Sequence, residues 1–214
     1  LRVTDGYQPL LRRPFSICDV DPAAGTVKII YRIVGPGTAR LAKVKNDDIV
    51  DVMGPLGNGF SLDCRRPLLV GGGMGIAPLV FLARQLGSRP LDVVLGGRTR
   101  DELFWRESLP KTARNIYLTT DDGSLGLRGL APAVIPDLLA GGDYDIVYTC
   151  GPQALMREVA AQAAAKSVDC QVSLEEHMAC GVGACLSCTC AAGGGGRRKV
   201  CTDGPVFWAR EVAL

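Results

Sequence analysis

Four cysteines near the end of the chain are spaced as ligands of a metal centre. Cys180, Cys185 and Cys188 follow the pattern Cys-x4-Cys-x2-Cys, and Cys201 follows from a later segment. This is the plant-type spacing, in which four thiolates bind a [2Fe–2S] cluster. The loop contains the small residues Ala179, Gly181, Gly183 and Ala184, so it can wrap closely around a cluster. The spacing therefore predicts a one-electron transfer site.

Zinc binding is the main alternative interpretation, and it would make the chain an interaction module. Zinc sites usually have two Cys-x2-Cys pairs, whereas the first pair here is separated by four residues. The nine cysteines are an odd number, which argues against a framework of disulfides. His177 is the only histidine, so a cluster with two histidine ligands is excluded. Cys190 is interpreted as a non-ligand.

A glycine-rich turn in the middle of the chain is typical of a nucleotide-binding site. Residues 71–78, Gly-Gly-Gly-Met-Gly-Ile-Ala-Pro, end a predicted strand and open a helix. Glycines let backbone amides approach a pyrophosphate, although the same pattern also arises from tight packing. A second loop, Cys-Gly-Pro at 150–152, is expected at the same sheet edge. The candidate nucleotide-binding residues are Gly72, Gly73, Gly75, Ile76, Ala77, Pro78, Gly151 and Pro152.

Two residues beside these loops have alternative interpretations. Cys150 is the candidate catalytic residue, although a buried thiol without a chemical role is common. Arg98 follows the second strand, where the adenosine ribose of a dinucleotide is expected. It could meet a 2′-phosphate or be an ordinary surface charge, so the sequence leaves open the choice between NAD and NADP.

A flavin is expected because the two sites handle electrons differently. A [2Fe–2S] cluster carries one electron at a time, a nicotinamide exchanges a hydride, and a flavin accepts either. The candidate segment is Arg13-Pro14-Phe15-Ser16, whose arginine can pair with a phosphate and whose serine can hydrogen-bond the edge of the ring. Residues 33–38 offer a second phosphate-binding turn. Each segment is also compatible with an ordinary strand or turn.

The elements that must position these groups divide the chain into three parts, and the predicted fold class is α+β multidomain. Residues 1–64 are rich in strand formers and predict a partial antiparallel β-barrel that binds FAD. Residues 65–173 alternate strands with helices and predict a Rossmann-like α/β parallel sheet that binds NAD. Residues 174–214 are rich in glycine and cysteine and predict a [2Fe–2S]-binding segment with little regular structure.

The hydrophobic patterns place individual elements within these parts. Strands are predicted at 15–20, 26–34, 49–53, 68–70, 91–95, 116–119, 145–149 and 170–173. Helices are predicted at 77–86, 101–109, within 128–140, and at 153–165. The net charge of +2 is too small to predict nucleic acid or an anionic membrane as the main partner. No apolar run approaches the roughly 20 residues of a membrane span, and a cytoplasmic location is expected.

The order of these motifs resembles the ferredoxin–NADP reductase superfamily. The motifs are Arg-Pro-Phe-Ser at 13–16, Gly-x-Gly-Thr at 35–38, Gly-Pro-Leu-Gly-Asn-Gly-Phe at 54–60, the turn at 71–78 and Cys-Gly-Pro at 150–152. The ending narrows the resemblance. Glu-His-Met-Ala-Cys-Gly-Val-Gly-Ala-Cys-Leu-Ser-Cys at 176–188 and Val-Cys-Thr-Asp-Gly-Pro-Val-Phe at 200–207 resemble the electron-transfer subunit of NAD-dependent class 1B dihydroorotate dehydrogenases.

The resemblance implies a function and a partner. In that family an FMN-containing catalytic subunit oxidises dihydroorotate in pyrimidine biosynthesis, and electrons pass through the cluster and FAD to NAD⁺ in a heterotetramer. It implies cluster ligands at the four cysteines already named. It implies FAD contacts at Arg13, Pro14, Phe15, Ser16, Ile30, Tyr31, Arg32, Gly37 and Thr38.

One departure and one related alternative accompany the resemblance. The family has further strands before Arg-Pro-x-Ser, whereas twelve residues precede it here, so a partial barrel with unpaired edges is expected. Within the same superfamily, the alternative function is that of an NAD(P)H:acceptor reductase subunit of an electron-bifurcating or hydrogenase-type complex.

Overall fold

A computed structural model describes residues 1–3 and 9–214 of the chain. The strands are β1 Ile17–Asp21, β2 Thr26–Ile29, β3 Pro67–Gly72, β4 Leu91–Gly97, β5 Ala113–Thr120, β6 Leu127–Arg128, β7 Ile146–Cys150, β8 Asp169–Ser173, β9 Thr189–Ala191, β10 Arg197–Lys199 and β11 Val206–Trp208. The α-helices are α1 Pro36–Leu41, α2 Ile76–Gln85, α3 Ile135–Gly141 and α4 Gln153–Ala165. The 3-10 helices are Gly73–Gly75, Arg100–Ser108, Ala131–Val134 and Ala209–Glu211.

A seven-stranded sheet organises the middle of the chain, in the order β11-β8-β7-β3-β4-β5-β6. Every neighbouring pair is parallel except β11 with β8. The residues of β3 are all buried, as expected for a central parallel strand covered on both faces. One apolar core packs under α3 and α4 and the other under α2. The predicted Rossmann-like sheet is confirmed.

The predicted helices of this part are present, with one change of type. The segment predicted as a helix at 101–109 is a 3-10 helix over Arg100–Ser108, and it is irregular at Leu103. Its sequence is more polar than that of α2, so it provides little apolar surface to hold a longer α-helix against the sheet. Among the described residues, no helix is long and apolar enough to cross a lipid bilayer.

The first part of the chain contains fewer strands than predicted. β1 and β2 form an antiparallel hairpin that packs against α2, where Arg84 pairs with Asp19 at 2.6 Å. The predicted strand at 49–53 is absent, and residue 51 forms only an isolated bridge with Arg2. Ile49 is 98% exposed, because no neighbouring strand of the described residues continues that bridge into a ladder. The strand predicted at 26–34 ends at Ile29.

The last part of the chain has more regular structure than predicted. β9 and β10 pair as a hairpin, with Ala191 opposite Arg197. β11 adds an antiparallel strand to the sheet, with Val206 opposite Ser173. The three residues of β11 therefore join the glycine- and cysteine-rich tail to the central sheet. The sequence did not predict this strand, because the tail has no periodic pattern.

Candidate electron-transfer site

The four predicted cluster ligands lie together, in two pairs. The Cys185 amide donates to the Cys180 sulfur at 3.4 Å, and the two side chains contact each other. The Cys201 amide donates to the Cys188 sulfur at 3.4 Å, and these side chains also contact each other. Cys185 is exposed and Cys180 partly so, whereas Cys188 and Cys201 are buried. One pair therefore faces solvent and the other faces the core.

Backbone amides around the first pair favour a thiolate. The amides of Val182 and Cys185 both point at the Cys180 sulfur, each at 3.4 Å. These hydrogen bonds lower the pKa of Cys180 to about 6. Burial instead raises the pKa of Cys201, which also accepts an N–H from Gly183. Amides aimed at sulfur stabilise negative charge, and thiolates are the form of cysteine that binds iron.

The four thiols are arranged as two pairs rather than as one group. Within residues 1–3 and 9–214, no three His, Cys, Asp or Glu side chains converge as ligands of a single metal ion. The thiols are instead grouped two and two, and in a [2Fe–2S] cluster four thiolates bind two irons. The donor set of four cysteines therefore fits an iron–sulfur cluster, which Cys180, Cys185, Cys188 and Cys201 would hold.

Both ends of the cluster segment are anchored at one edge of the sheet. β8 ends at Ser173, which is paired with Cys150 of β7 and with Val206 of β11. Cys150 is in turn paired with Gly71 of β3. The segment from 174 to 205 thus leaves the sheet at the carboxyl end of β8 and rejoins it at the start of β11. Both points lie on the same side of the sheet as the carboxyl ends of β7 and β3, where the two predicted nucleotide loops begin.

The two nucleotide loops contact each other through glycines. A Cβ atom on Gly75 would lie 2.5 Å from the carbonyl carbon and oxygen of Cys150. A Cβ on Gly151 would lie 3.0 Å from the carbonyl oxygen of Gly72. Because side chains are excluded, the edge between β3 and β7 presents backbone groups, as pyrophosphate binding requires. Gly73, with φ +56°, turns the chain from β3 towards α2.

The remaining predicted nucleotide-binding residues lie at the N-terminal ends of α2 and α4. Ile76 and Ala77 are buried in the first turn of α2, so only their backbone can face a ligand. Pro78 is partly exposed on the same turn. Pro152 is the N-cap of α4, and its carbonyl accepts the Met156 amide at 3.1 Å.

Cys150 is buried at the end of β7, 1% exposed. Burial first, and then the charge of Glu175, raise the pKa of its thiol to about 12, while a hydrogen bond with Ser173 opposes the shift. The thiol is therefore protonated at neutral pH. It can orient a ligand by contact, but it is not a thiolate nucleophile.

Of the predicted flavin residues, Arg13 to Ser16 precede β1, Ile30 to Arg32 follow β2, and Gly37 and Thr38 lie in α1. The side chain of Arg13 packs against Gly37, where a Cβ atom would contact its Nε and would lie 2.9 Å from its Cζ. Thr38 is buried, and its hydroxyl accepts the amides of Val34 and Gly35 at 3.0 and 3.2 Å. The predicted phosphate turn at 33–38 is therefore a hydrogen-bonded helix start that holds Arg13 beside it.

A cleft joins the predicted flavin residues to the nucleotide loop. Phe15 and Tyr31 pack edge to face, with ring centroids 5.5 Å apart, whereas Pro14 is exposed and Ser16 partly exposed. The cleft has a volume of about 270 Å³. It is lined by Ile30, Tyr31, Arg32, Gly73, Met74, Asp101 and Glu102.

Glu102 connects the two sides of this cleft. Its carboxylate accepts two hydrogen bonds from the Arg98 side chain, at 2.7 and 3.0 Å, and lies 3.2 Å from Arg32. These hydrogen bonds, from Arg98 foremost, hold the pKa of Glu102 below its usual range. The Glu102 carboxylate thus holds Arg98, which directly follows β4.

Comparison with known proteins identifies the family. The model of the iron–sulfur cluster binding domain of dihydroorotate dehydrogenase B matches residues 175–213. The dihydroorotate dehydrogenase B (NAD(+)) electron transfer subunit of Geobacillus thermodenitrificans is 43% identical over 222 residues, covering 100% of this chain and 84% of that protein. The chain belongs to this family of electron transfer subunits. The corresponding protein of Caldanaerobacter subterraneus subsp. tengcongensis is 42% identical and covers 94% of this chain and 81% of its own length.

Solved structures agree with this family and with the fold. The structure of an NADH-dependent reduced ferredoxin–NADP oxidoreductase, which performs flavin-based electron bifurcation, has a TM-score of 0.85 and 33% identity. It covers 95% of this chain and 74% of that chain. An Amycolatopsis cytochrome P450 reductase has a TM-score of 0.52 and 21% identity, covers 71% of this chain and 52% of its own, and shows the fold alone.

Two residues make contacts around these sites that the sequence did not predict, Asn58 and Glu102. The Asn58 amide donates to the Gly204 carbonyl at 2.6 Å, and its side chain donates to the carbonyls of Thr202 and Asp203 at 3.1 Å. Asn58 thus fastens the loop after Cys201. Glu102 was likewise missed. The motif containing Asn58 was visible in the sequence, but nothing local indicated that its contact lies more than 140 residues away.

Proposed function

We propose that this chain carries electrons from dihydroorotate oxidation to NAD⁺ in pyrimidine biosynthesis. It acts as an oxidoreductase subunit and needs a catalytic partner, which we propose to be an FMN-containing dihydroorotate dehydrogenase subunit in a heterotetramer. The observation that carries the proposal is the attachment of the four-cysteine segment, at both ends, to the nucleotide edge of the sheet. Family membership and the iron–sulfur domain at 175–213 support the same assignment.

The proposal assigns three cofactors to three parts of the chain. Residues 1–64 hold FAD, residues 65–173 hold NAD and residues 174–214 hold a [2Fe–2S] cluster. When bound, the cluster supplies one-electron transfer, FAD exchanges single electrons for pairs, and NAD⁺ accepts a hydride. The two-and-two grouping of the thiols supports the binuclear type.

The chain's own residues bind and orient these groups. Arg13, held against α1, offers its guanidinium to the phosphates of FAD. Gly72, Gly75 and Gly151, where the absence of side chains leaves backbone groups, would hold the pyrophosphate of NAD. Cys150, kept protonated by burial, would border the nicotinamide at the end of β7.

An exposed apolar surface beside the cluster segment supports a protein partner. Val182 and Leu186 in the cluster loop are 57% and 61% exposed, and Leu56 in the neighbouring loop is 46% exposed. A Cβ on Gly181 would lie 3.2 Å from the side chain of Leu56, so the two loops are adjacent. Apolar side chains gathered around a site that must receive electrons are expected at a subunit interface.

The test is reconstitution with the catalytic subunit. The chain is co-expressed with a dihydroorotate dehydrogenase B catalytic subunit and purified anaerobically as a complex. We expect iron and acid-labile sulfide in equal amounts, bound FAD, and NAD⁺ reduction that depends on dihydroorotate. Zinc without acid-labile sulfide would overturn the assignment.

A second candidate function is supported by the similarity to the bifurcating oxidoreductase. In that case the chain would be an NAD(P)H:acceptor reductase subunit. It would reduce a ferredoxin-type acceptor with NAD(P)H, and the complex would show no dihydroorotate-dependent activity.

A further inference from the structure

Lys199 places a positive charge beside the cluster loop and has no role in the sites described above. Its ammonium nitrogen lies 3.4 Å from the position that a Cβ atom on Gly183 would occupy. Gly183 has φ +77° and lies between Cys180 and Cys185 in the sequence. The ammonium group is therefore against the backbone of the loop that carries the solvent-facing pair of thiols.

Gly183 also connects Lys199 to the buried pair. The Gly183 amide hydrogen-bonds the sulfur of Cys201. A Cβ at Gly183 would lie 3.0 and 3.2 Å from the methyl and hydroxyl groups of Thr202. The ammonium thus lies next to a backbone unit that contacts the loops of both thiol pairs.

Lys199 takes part in the turn that carries Cys201 through its backbone and not through its side chain. The Lys199 carbonyl accepts the amides of Thr202, Asp203 and Gly204 at 3.3, 2.7 and 3.3 Å. The Lys199 amide donates to the Asp203 carboxylate at 2.8 Å. A change of side chain at 199 therefore leaves the turn that carries Cys201 with all of its hydrogen bonds.

Asp203, an acidic residue on the same turn, is hydrogen-bonded within that turn. The carboxylate of Asp203 accepts the Lys199 amide and the Thr202 hydroxyl, the latter at 3.1 Å. The backbone hydrogen bond from Lys199 holds the pKa of Asp203 below its usual range. The carboxylate is oriented towards the backbone of the turn, whereas the ammonium extends to Gly183 on the cluster loop.

We propose that Lys199 raises the reduction potential of the cluster held by Cys180, Cys185, Cys188 and Cys201. Reduction adds one negative charge, and a nearby ammonium stabilises the reduced form more than the oxidised form. Lys199 is only partly exposed, so solvent does not screen the interaction completely. The inference rests on the proposed function, because it requires that these cysteines hold the cluster.

The test is a redox titration of the complex with its catalytic subunit, followed by the electron paramagnetic resonance signal of the reduced cluster. The neutral variants are Lys199→Met and Lys199→Gln, and Lys199→Arg keeps the charge. Lys166→Met, at the end of α4, is the matched control for loss of a lysine elsewhere. We expect a more negative midpoint potential in both neutral variants, a wild-type value in the other two, and a smaller difference at high salt.

Two results would overturn the proposal. One is an unchanged midpoint potential in neutral variants that retain full iron and sulfide. The other is loss of the cluster in both neutral variants, since Lys199 would then be needed for assembly and not for tuning. A wild-type complex without iron or sulfide would instead refute the proposed function, so the two failures are distinguishable.

Discussion

Cys188 and Cys190 lie two positions apart and are both buried, yet their surroundings differ. The Cys188 sulfur accepts the Cys201 amide and contacts the Cys201 thiol. Cys190 lies on β9 opposite Arg198, and burial raises the pKa of its thiol. At the scale of single residues, the predicted ligand Cys188 thus differs from the predicted non-ligand Cys190 in its neighbouring amide and its neighbouring sulfur.

Replacing each of these cysteines with serine tests the ligand assignment. Cys188→Ser removes one of two thiols beside an iron, so we expect loss of the visible absorption of the cluster and of acid-labile sulfide. Cys190→Ser is the control and is expected to retain both at wild-type amounts. Cluster absorption that survives in Cys188→Ser, or that disappears only in Cys190→Ser, would contradict the assignment.

Between elements, glycines control how closely loops approach one another. Gly57 has φ +73°, and a Cβ there would collide with the Gly204 carbonyl in the loop that follows Cys201. A Cβ on Gly75 would likewise collide with the carbonyl of Cys150, where the two predicted nucleotide loops meet. Two contacts between distant loops therefore depend on the absence of a side chain.

The first contact is tested with Gly57→Ala. A side chain in the left-handed region and a collision with backbone should destabilise the docked loop by about 1–3 kcal/mol. We expect the cluster absorption to be lost at a lower urea concentration than in the wild type. Gly59→Ala is the control, because a Cβ at Gly59 meets no atom within 4 Å, and it should behave as wild type.

The second contact is tested with Gly75→Ala. The new methyl group would force the loop of Cys150 away from the glycine-rich turn, so we expect NADH affinity to fall about tenfold or more. The measurement is titration of NADH by fluorescence. Gly141→Ala, at the end of α3 with no atom within 4 Å of its Cβ position, should bind NADH normally. Equal affinities in both variants would show that the two loops do not bind the nucleotide together.

At the scale of the whole molecule, one apolar core unites the cluster segment with the sheet. Cys188, Val200 and Phe207 pack in the same core as Leu68 and Val147 of β3 and β7. Below the opposite end of the sheet, Tyr144 donates to the buried carboxylate of Asp92 at 2.5 Å. A substitution that disrupts either end is therefore expected to lower the stability of the entire sheet.

The buried tyrosines give stability a defined dependence on pH. Burial is the main cause that raises the pKa of Tyr144 and of Tyr148 above the usual 10.0. A group with a raised pKa contributes fully below its unfolded value, so the free energy of unfolding should fall as the pH rises above about 10. Urea denaturation at about pH 8 and about pH 11 measures the fall.

Tyr144→Phe separates this effect from general alkaline damage. The variant should be about 1–3 kcal/mol less stable at neutral pH, because the Asp92 carboxylate loses a hydrogen bond. Its stability should also fall less steeply at high pH than that of the wild type. An identical slope in both proteins would mean that Tyr144 ionises as freely in the folded state as in the unfolded chain.

Much of the middle of the chain could be predicted because its strands and helices depend on local patterns. β3, β4, β5, β7 and β8 occur where alternating segments predicted them, with bounds that differ by no more than three residues. The strand at 49–53 could not be predicted correctly. Its residues have the composition of a strand, but a strand also needs a paired neighbour, and the described chain offers only a bridge at Arg2.

The sequence by itself determined the chemistry of this protein, because ligand type and loop flexibility are properties of residues and their spacing. The four cysteines and the glycine turns were recognisable for that reason. Only the tertiary structure decided that β11 closes the cluster segment onto the nucleotide edge, that Glu102 holds Arg98 and Arg32, and that Lys199 reaches Gly183. These contacts join separate segments of the chain, and their geometry is set by packing, which no local pattern records.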